Sequence, residues 1–103
     1  MDNYKIYCHI FPNGKRYIGQ TKQEVWKRFG VNGINYANDC PYLWNAIQKY
    51  GWENVKHIIL LEGLTAEEAN IWEQKYIKDF CSNKREFGYN LTIGGEGHPK
   101  FDY

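Results

Sequence analysis

The chain has 103 residues, enough for one domain with a single modest core, and its 43% hydrophobic content excludes an intrinsically disordered polymer. No apolar run approaches the roughly 18 residues of a membrane span, and the N-terminus has no apolar leader, which points to the cytosol. A net charge of +1 excludes a protein whose whole surface grips nucleic acid, although residues 1–30 alone carry +4. That basic third either faces a phosphate backbone, with Lys15, Arg16 and Lys27 among its cations, or is a solvated mixed-charge face. Cys8, Cys40 and Cys81 are odd in number and lack a C-x-x-C pair, so free buried thiols are expected. A zinc site from Cys40, Cys81, His57 and His98 has no ligand spacing behind it.

Two runs of β-formers, Tyr4 to Phe11 and Arg16 to Gly19, flank Pro12-Asn13-Gly14-Lys15, and Asn-Gly between such runs predicts a hairpin with positive φ at both residues. Pairing across it brings Tyr7 and Tyr17 to neighbouring strand positions. Gly19 lets backbone or a ligand come close where the second strand ends. Thr21-Lys22-Gln23-Glu24 has the form of a capping box and predicts a short helix, stopped by Gly30, with Arg28 on the face of Val25.

Val31 to Cys40 has loop composition. A helix is expected from Pro41 to about Tyr50, with Leu43, Trp44, Ile47 and Tyr50 as its apolar stripe and Gly51 as its end. Val55 to Leu61 reads as a third strand closed by Glu62-Gly63. Its continuous apolar end suggests burial on both faces or a central place in the sheet. Thr65-Ala66-Glu67-Glu68 is a second capping box and opens the longest helix, to about Phe80, with Ala69, Trp72, Tyr76, Ile77 and Phe80 inward. Glu73 falls inside that stripe. A carboxylate there either meets a charge, metal or hydrogen-bond donor, or sits at a boundary and reaches solvent. The remainder is a loop in which Tyr89-Asn90-Leu91-Thr92 is the one piece suited to lie along the core.

This parts list suits phosphodiester hydrolysis: a hard carboxylate for a divalent cation, a guanidinium for the phosphate, and phenols for proton transfer. Lys5-Ile6-Tyr7, with Tyr17-Ile18-Gly19 starting ten residues after Tyr7, resembles the paired motif of the GIY-YIG nuclease family. The likeness extends to Arg28, to Glu73 in the long helix, and to Asn90 in Gly88-Tyr89-Asn90-Leu91-Thr92. The closing Tyr-Asn-Leu-Thr-Ile-Gly-Gly is similar to versions in phage and intron-linked homing endonucleases. The resemblance implies an α+β fold, a three-stranded antiparallel sheet flanked by helices, over residues 1–95 with a tail at 96–103. It also implies a DNA endonuclease using one Mg²⁺ or Mn²⁺.

In that scheme Tyr7 and Tyr17 form the tyrosine pair that activates water, and Arg28 contacts the scissile phosphate. Glu73 holds the metal and Asn90 fixes neighbouring groups by hydrogen bonds. The chain departs from the pattern at Lys5, where the family has glycine, and at Gln20, where some relatives carry lysine. It departs again at Asn32, where many carry histidine or tyrosine. Gln20 and Asn32 are expected to face DNA without supplying charge, and His9 or His57 is an alternative source of a titrating group. Homing relatives append a separate DNA-binding region. A non-catalytic nucleic-acid-binding module on the same fold is the alternative reading, and a protein-interaction domain the third.

Overall fold

The hairpin joins β1 (Tyr4–Ile10) to β2 (Arg16–Thr21), and its turn works differently from the Asn-Gly expectation. Gly14 alone takes positive φ, +88°, and its N–H donates to the Phe11 carbonyl at 2.8 Å. Pro12 and Asn13 are therefore the central residues of an ordinary turn, where a fixed proline φ fits. Asn13 contributes through its side chain. Its Oδ1 accepts from Lys15 N–H at 2.9 Å, and its Nδ2 donates to the hydroxyls of Tyr89 at 3.0 Å and Tyr50 at 3.2 Å.

The computed structural model describes residues 3–91, so the expected tail at 96–103, His98 and the end of the closing motif lie outside the described residues. The fold is α+β: a three-stranded antiparallel sheet in the order β2-β1-β3, flanked by helices. β3 runs Lys56–Leu64 and is an edge strand. This corrects the expectation of burial on both faces, since Ile58 and Ile59 remain 40% and 41% exposed. β1 holds the centre instead. Glu62-Gly63 does not close β3 either: the pairing slips between Tyr4 and Tyr7, around Lys5, and Gly63 takes φ +73° as the strand continues.

Strand alternation divides β1 between two cores. Ile6 and Cys8 pack with Ile18 against Ala69 and Ile77 of α4 (Ala66–Phe80). Tyr7 points to the other layer, with Phe11, Phe29, Tyr36, Leu43 and Ile47. That layer is built from α1 (Val25–Phe29), α2 (Tyr36–Asp39) and α3 (Pro41–Tyr50). α3 starts with proline in its first turn and ends at Gly51, φ +86°, as expected.

Thr65 caps α4 in full: its side chain accepts from Glu68 N–H, and the Glu68 carboxylate accepts from Thr65 N–H at 2.9 Å. The Thr21 box does not form. Thr21 Oγ1 accepts from Gln23 N–H at 3.0 Å, making a tight turn, and α1 begins only after Glu24, without a side-chain cap. The stretch expected to be loop holds a 3₁₀ turn at Val31–Gly33 and then α2, whose Tyr36 is fully buried. On α4, Ala69, Glu73 and Ile77 are the buried positions, whereas Trp72 is 36% exposed and lies outside the stripe assigned to it.

The free edge of β2 is covered by the segment after α4. Arg16 N–H donates to Phe87 O at 3.1 Å, and Tyr89 N–H donates to Arg16 O at 2.9 Å. Asn90 continues the ladder with its side chain, accepting from Ile18 N–H at 2.9 Å and donating to Ile18 O at 2.8 Å. Ser82 donates to the same Asn90 Oδ1 at 2.7 Å. Residues 87–90 thus form a strap that closes an edge otherwise open to pairing.

Candidate active site

Tyr7 stands opposite Gly19 and His9 opposite Tyr17, so both phenols share one face of the hairpin on a diagonal. Gly19 is required by the tyrosine itself, because a Cβ at that position would collide with the phenol ring of Tyr7. The strap fixes Arg16 and Ile18 on either side of Tyr17, so a rigid frame sets the second phenol. The Tyr17 hydroxyl lies 3.8 Å from Cys40 Sγ.

Arg28 reaches this face from the end of α1, with its guanidinium 4.7 Å from the centre of the Tyr36 ring. A five-residue helix has little stability of its own. Asn35 secures it, donating from Nδ2 to Lys27 O at 2.9 Å and Arg28 O at 3.3 Å. An open polar groove of about 750 Å³ runs between α1 and α2, with Arg28 in its wall beside Gln23, Lys27, Asn35, Asn38 and Asp39.

Glu73 arrives from the opposite layer. It is 8% exposed, and Gln20 Nε2 donates to its Oε1 at 2.7 Å and to Asn70 Oδ1 at 2.8 Å. Gln20, expected to meet DNA, therefore holds the carboxylate in place. A single carboxylate on a rigid helix suits a hard, hydrated divalent ion such as Mg²⁺ or Mn²⁺. Among the described residues no three His, Cys, Asp or Glu side chains converge as a metal cage would require, and the three cysteines are free.

Burial raises the pKa of Tyr7, while the charge of Arg28 and the hydrogen bond from Tyr36 pull it back. Tyr17 is pushed well up by burial, with Tyr7 and Cys40 adding to the effect and Arg28 opposing it. Glu73 raises both phenols, so the four groups share one electrostatic neighbourhood. Burial disfavours the charge of Arg28, yet the surrounding phenols Tyr7, Tyr36 and Tyr17 more than offset this and raise its pKa.

The remaining sequence assignments fall at different places. Asn90 has both ends of its amide on Ile18, as a positioning group for β2. Lys15 lies over the Tyr89 ring at 5.5 Å, and Arg16 over Phe80 at 4.4 Å, on the α4 side of the sheet. Lys27 lies over Trp26 at 5.3 Å, and Trp26 itself is 66% exposed. Asn32 is exposed in a left-handed conformation, φ +54°.

The sequence suits Tyr36 to core packing, or to stacking on an unpaired base, but not to the hydrogen-bonded place it holds at the centre of the site. Its hydroxyl donates to Tyr7 at 3.2 Å and meets His9 Nε2 at 2.9 Å. Nothing in its loop-like surroundings marks it. His9 did carry a signal: two residues after Tyr7 on one strand, it must share the face of the phenols.

No family model matches the chain, and no solved structure matches it. Over 87 residues, 82% of this chain, it is 32% identical to a protein of Enterobacteria phage T4 named "Putative endonuclease segE". The matched region is 38% of that protein's length, so the chain spans well under half of the relative it resembles.

Proposed function

We propose that the chain is a divalent-metal-dependent DNA endonuclease of the GIY-YIG type. The observation that carries the reading is a buried carboxylate, Glu73, held by Gln20 and brought from the far layer of the sheet into the electrostatic range of Tyr7 and Tyr17, the two phenols that Arg28 also acts on. The likeness to the phage T4 protein and its printed name support the same class.

In this reading Arg28 binds the scissile phosphate and stabilises the charge that gathers on it, worth several kcal/mol in such sites (about 3–4 per donor). One phenol of the Tyr7–Tyr17 pair takes the proton of the attacking water, and Tyr7 fits that role because Tyr36 donates to its oxygen and favours phenolate. Glu73 would hold the metal, with Gln20 orienting its carboxylate. A bound Mg²⁺ or Mn²⁺ supplies Lewis-acid stabilisation of the phosphate oxygens. Asn90 keeps β2, and hence Tyr17, in register. Lys27 and the groove beside Arg28 are where the DNA backbone would enter.

The test is nicking of supercoiled plasmid in Mg²⁺, with EDTA as control. Glu73→Gln and Arg28→Ala should each lower the rate by about 100-fold or more while far-UV circular dichroism stays native. Full activity in either variant removes that residue from the mechanism. DNA retention without cleavage in Mg²⁺ and Mn²⁺ would instead assign a non-catalytic binding module.

A further inference from the structure

A line of hydrogen bonds leads from the surface to the Tyr7 phenol. His57 is an exposed residue of β3 on the same face as its cross-strand partner His9, and its Nδ1 meets His9 Nδ1 at 3.0 Å. His9 Nε2 meets the Tyr36 hydroxyl at 2.9 Å, and Tyr36 donates to Tyr7 at 3.2 Å. A neutral imidazole has one donor and one acceptor nitrogen, so the direction of one bond sets the next. With Tyr36 donating to Tyr7, the Tyr36 oxygen accepts from His9 Nε2–H. His9 Nδ1 is then bare and accepts from His57 Nδ1–H. Every bond points towards Tyr7.

Burial keeps His9 well below the usual imidazole range, helped by His57 and Arg28, and burial also lowers His57 against a hydrogen bond to the Trp52 backbone. The neutral rings that the line requires are therefore the ones present near pH 7. The titratable groups acting on it are Tyr7 on β1, Tyr17 on β2, Arg28 on α1, Tyr36 on α2, Cys40 after it, and Glu73 on α4. Trp52 packs on the His57 ring at 4.1 Å and carries no proton that titrates. Tyr7 is only 1% exposed, so its hydroxyl does not exchange freely with bulk solvent. A fully buried histidine costs free energy that an aliphatic side chain in the same space would not, and both of its nitrogens here serve the line.

We infer that His57, His9 and Tyr36 form a proton relay that exchanges the Tyr7 proton with solvent, an inference that rests on the nuclease reading above. The balance is one proton in and one out. In the loaded direction Tyr7 donates to Tyr36, Tyr36 to His9 Nε2, and His9 Nδ1–H to His57 Nδ1, which leaves the proton of the exposed His57 on its Nε2. One concerted shift moves each proton along its own bond and releases the Nε2 proton of His57 to solvent. Tyr7 is left as phenolate, accepting from Tyr36 in the direction the structure holds. No interior group gains a net charge apart from Tyr7, which Arg28 faces.

Two measurements on the full chain test this. His57→Ala removes an exposed ring. In dilute buffer its single-turnover cleavage of plasmid DNA should fall by about 10- to 100-fold, and added imidazole should restore it. An unchanged rate, or a loss that imidazole does not repair, overturns the relay. Independently of activity, ¹⁵N spectra of the wild-type histidines at pH 7 should show both rings neutral, with one Nδ1 of the His9–His57 pair protonated and the other bare. Two Nε2–H tautomers, or a cationic ring, overturn it. An inactive wild type strikes the nuclease reading and with it the catalytic use of the relay. An active wild type indifferent to His57→Ala strikes the relay alone.

Discussion

Asn90→Ala separates a positioning role from a role on substrate. The asparagine amide makes three hydrogen bonds, two to the backbone of Ile18 and one from Ser82, and Ile18 and Ser82 are both fully buried. Alanine leaves the N–H and C=O of Ile18 without partners where water does not reach. Each orphaned group costs about 1–3 kcal/mol, so the loss should be about 2–6 kcal/mol. Against a domain stability of about 5–15 kcal/mol, that is a large fraction. Urea unfolding followed by circular dichroism would show a lower midpoint with an unchanged slope. Ser82→Ala, which leaves the Ile18 bonds intact, should cost only about 1 kcal/mol. A variant at position 90 that keeps its stability within about 1 kcal/mol yet loses all cleavage would refute the reasoning, because the amide would then act on the substrate.

Gly19→Ala should destabilise by about 1–3 kcal/mol, since the new methyl meets the Tyr7 ring and not open space, and a thermal melt at wild-type level would contradict that. Cleavage should fall with it, because the displaced phenol leaves Tyr36. Burial raises both Tyr7 and Tyr17, so their phenolate fraction grows with pH. The single-turnover rate should therefore climb from pH 6 to 9, and a flat profile with chemistry limiting would exclude a phenol base. His9 is depressed below its unfolded value of 6.5, so the unfolded state binds the extra proton as pH falls. Stability should be constant above that value and decline below it by up to about 1.4 kcal/mol per pH unit. His9→Leu should flatten this part of the curve, as read by urea midpoints between pH 7 and 5.

The features that sequence made legible are those set by neighbours along the chain. Thr65 and Glu68 cap α4 because both partners are three residues apart, and Glu73 is buried because helix periodicity places it between Ala69 and Ile77. The same rule misled at Thr21, where the hydroxyl closes a local turn onto Gln23 before a helix can start. β3 looks central by its run of aliphatic residues, but strand order depends on partners distant in sequence, and β1 takes the middle. Tyr36 lay in a stretch rich in asparagine and glycine, and only tertiary contacts across the site give it a partner. Gln20 seemed available to DNA because its bond to Glu73 spans the chain from β2 to α4.

The division of β1 between two cores has a consequence for how the molecule would fail. Tyr7 and Tyr36 belong to the aromatic layer, whereas Glu73 belongs to the helix behind the sheet, and β2 is the common hinge pin. Alignment of the two halves is only as good as the stiffness of that thin partition. Mild heat or a cavity in either layer should therefore silence the chemistry while the helices and strands still register as intact.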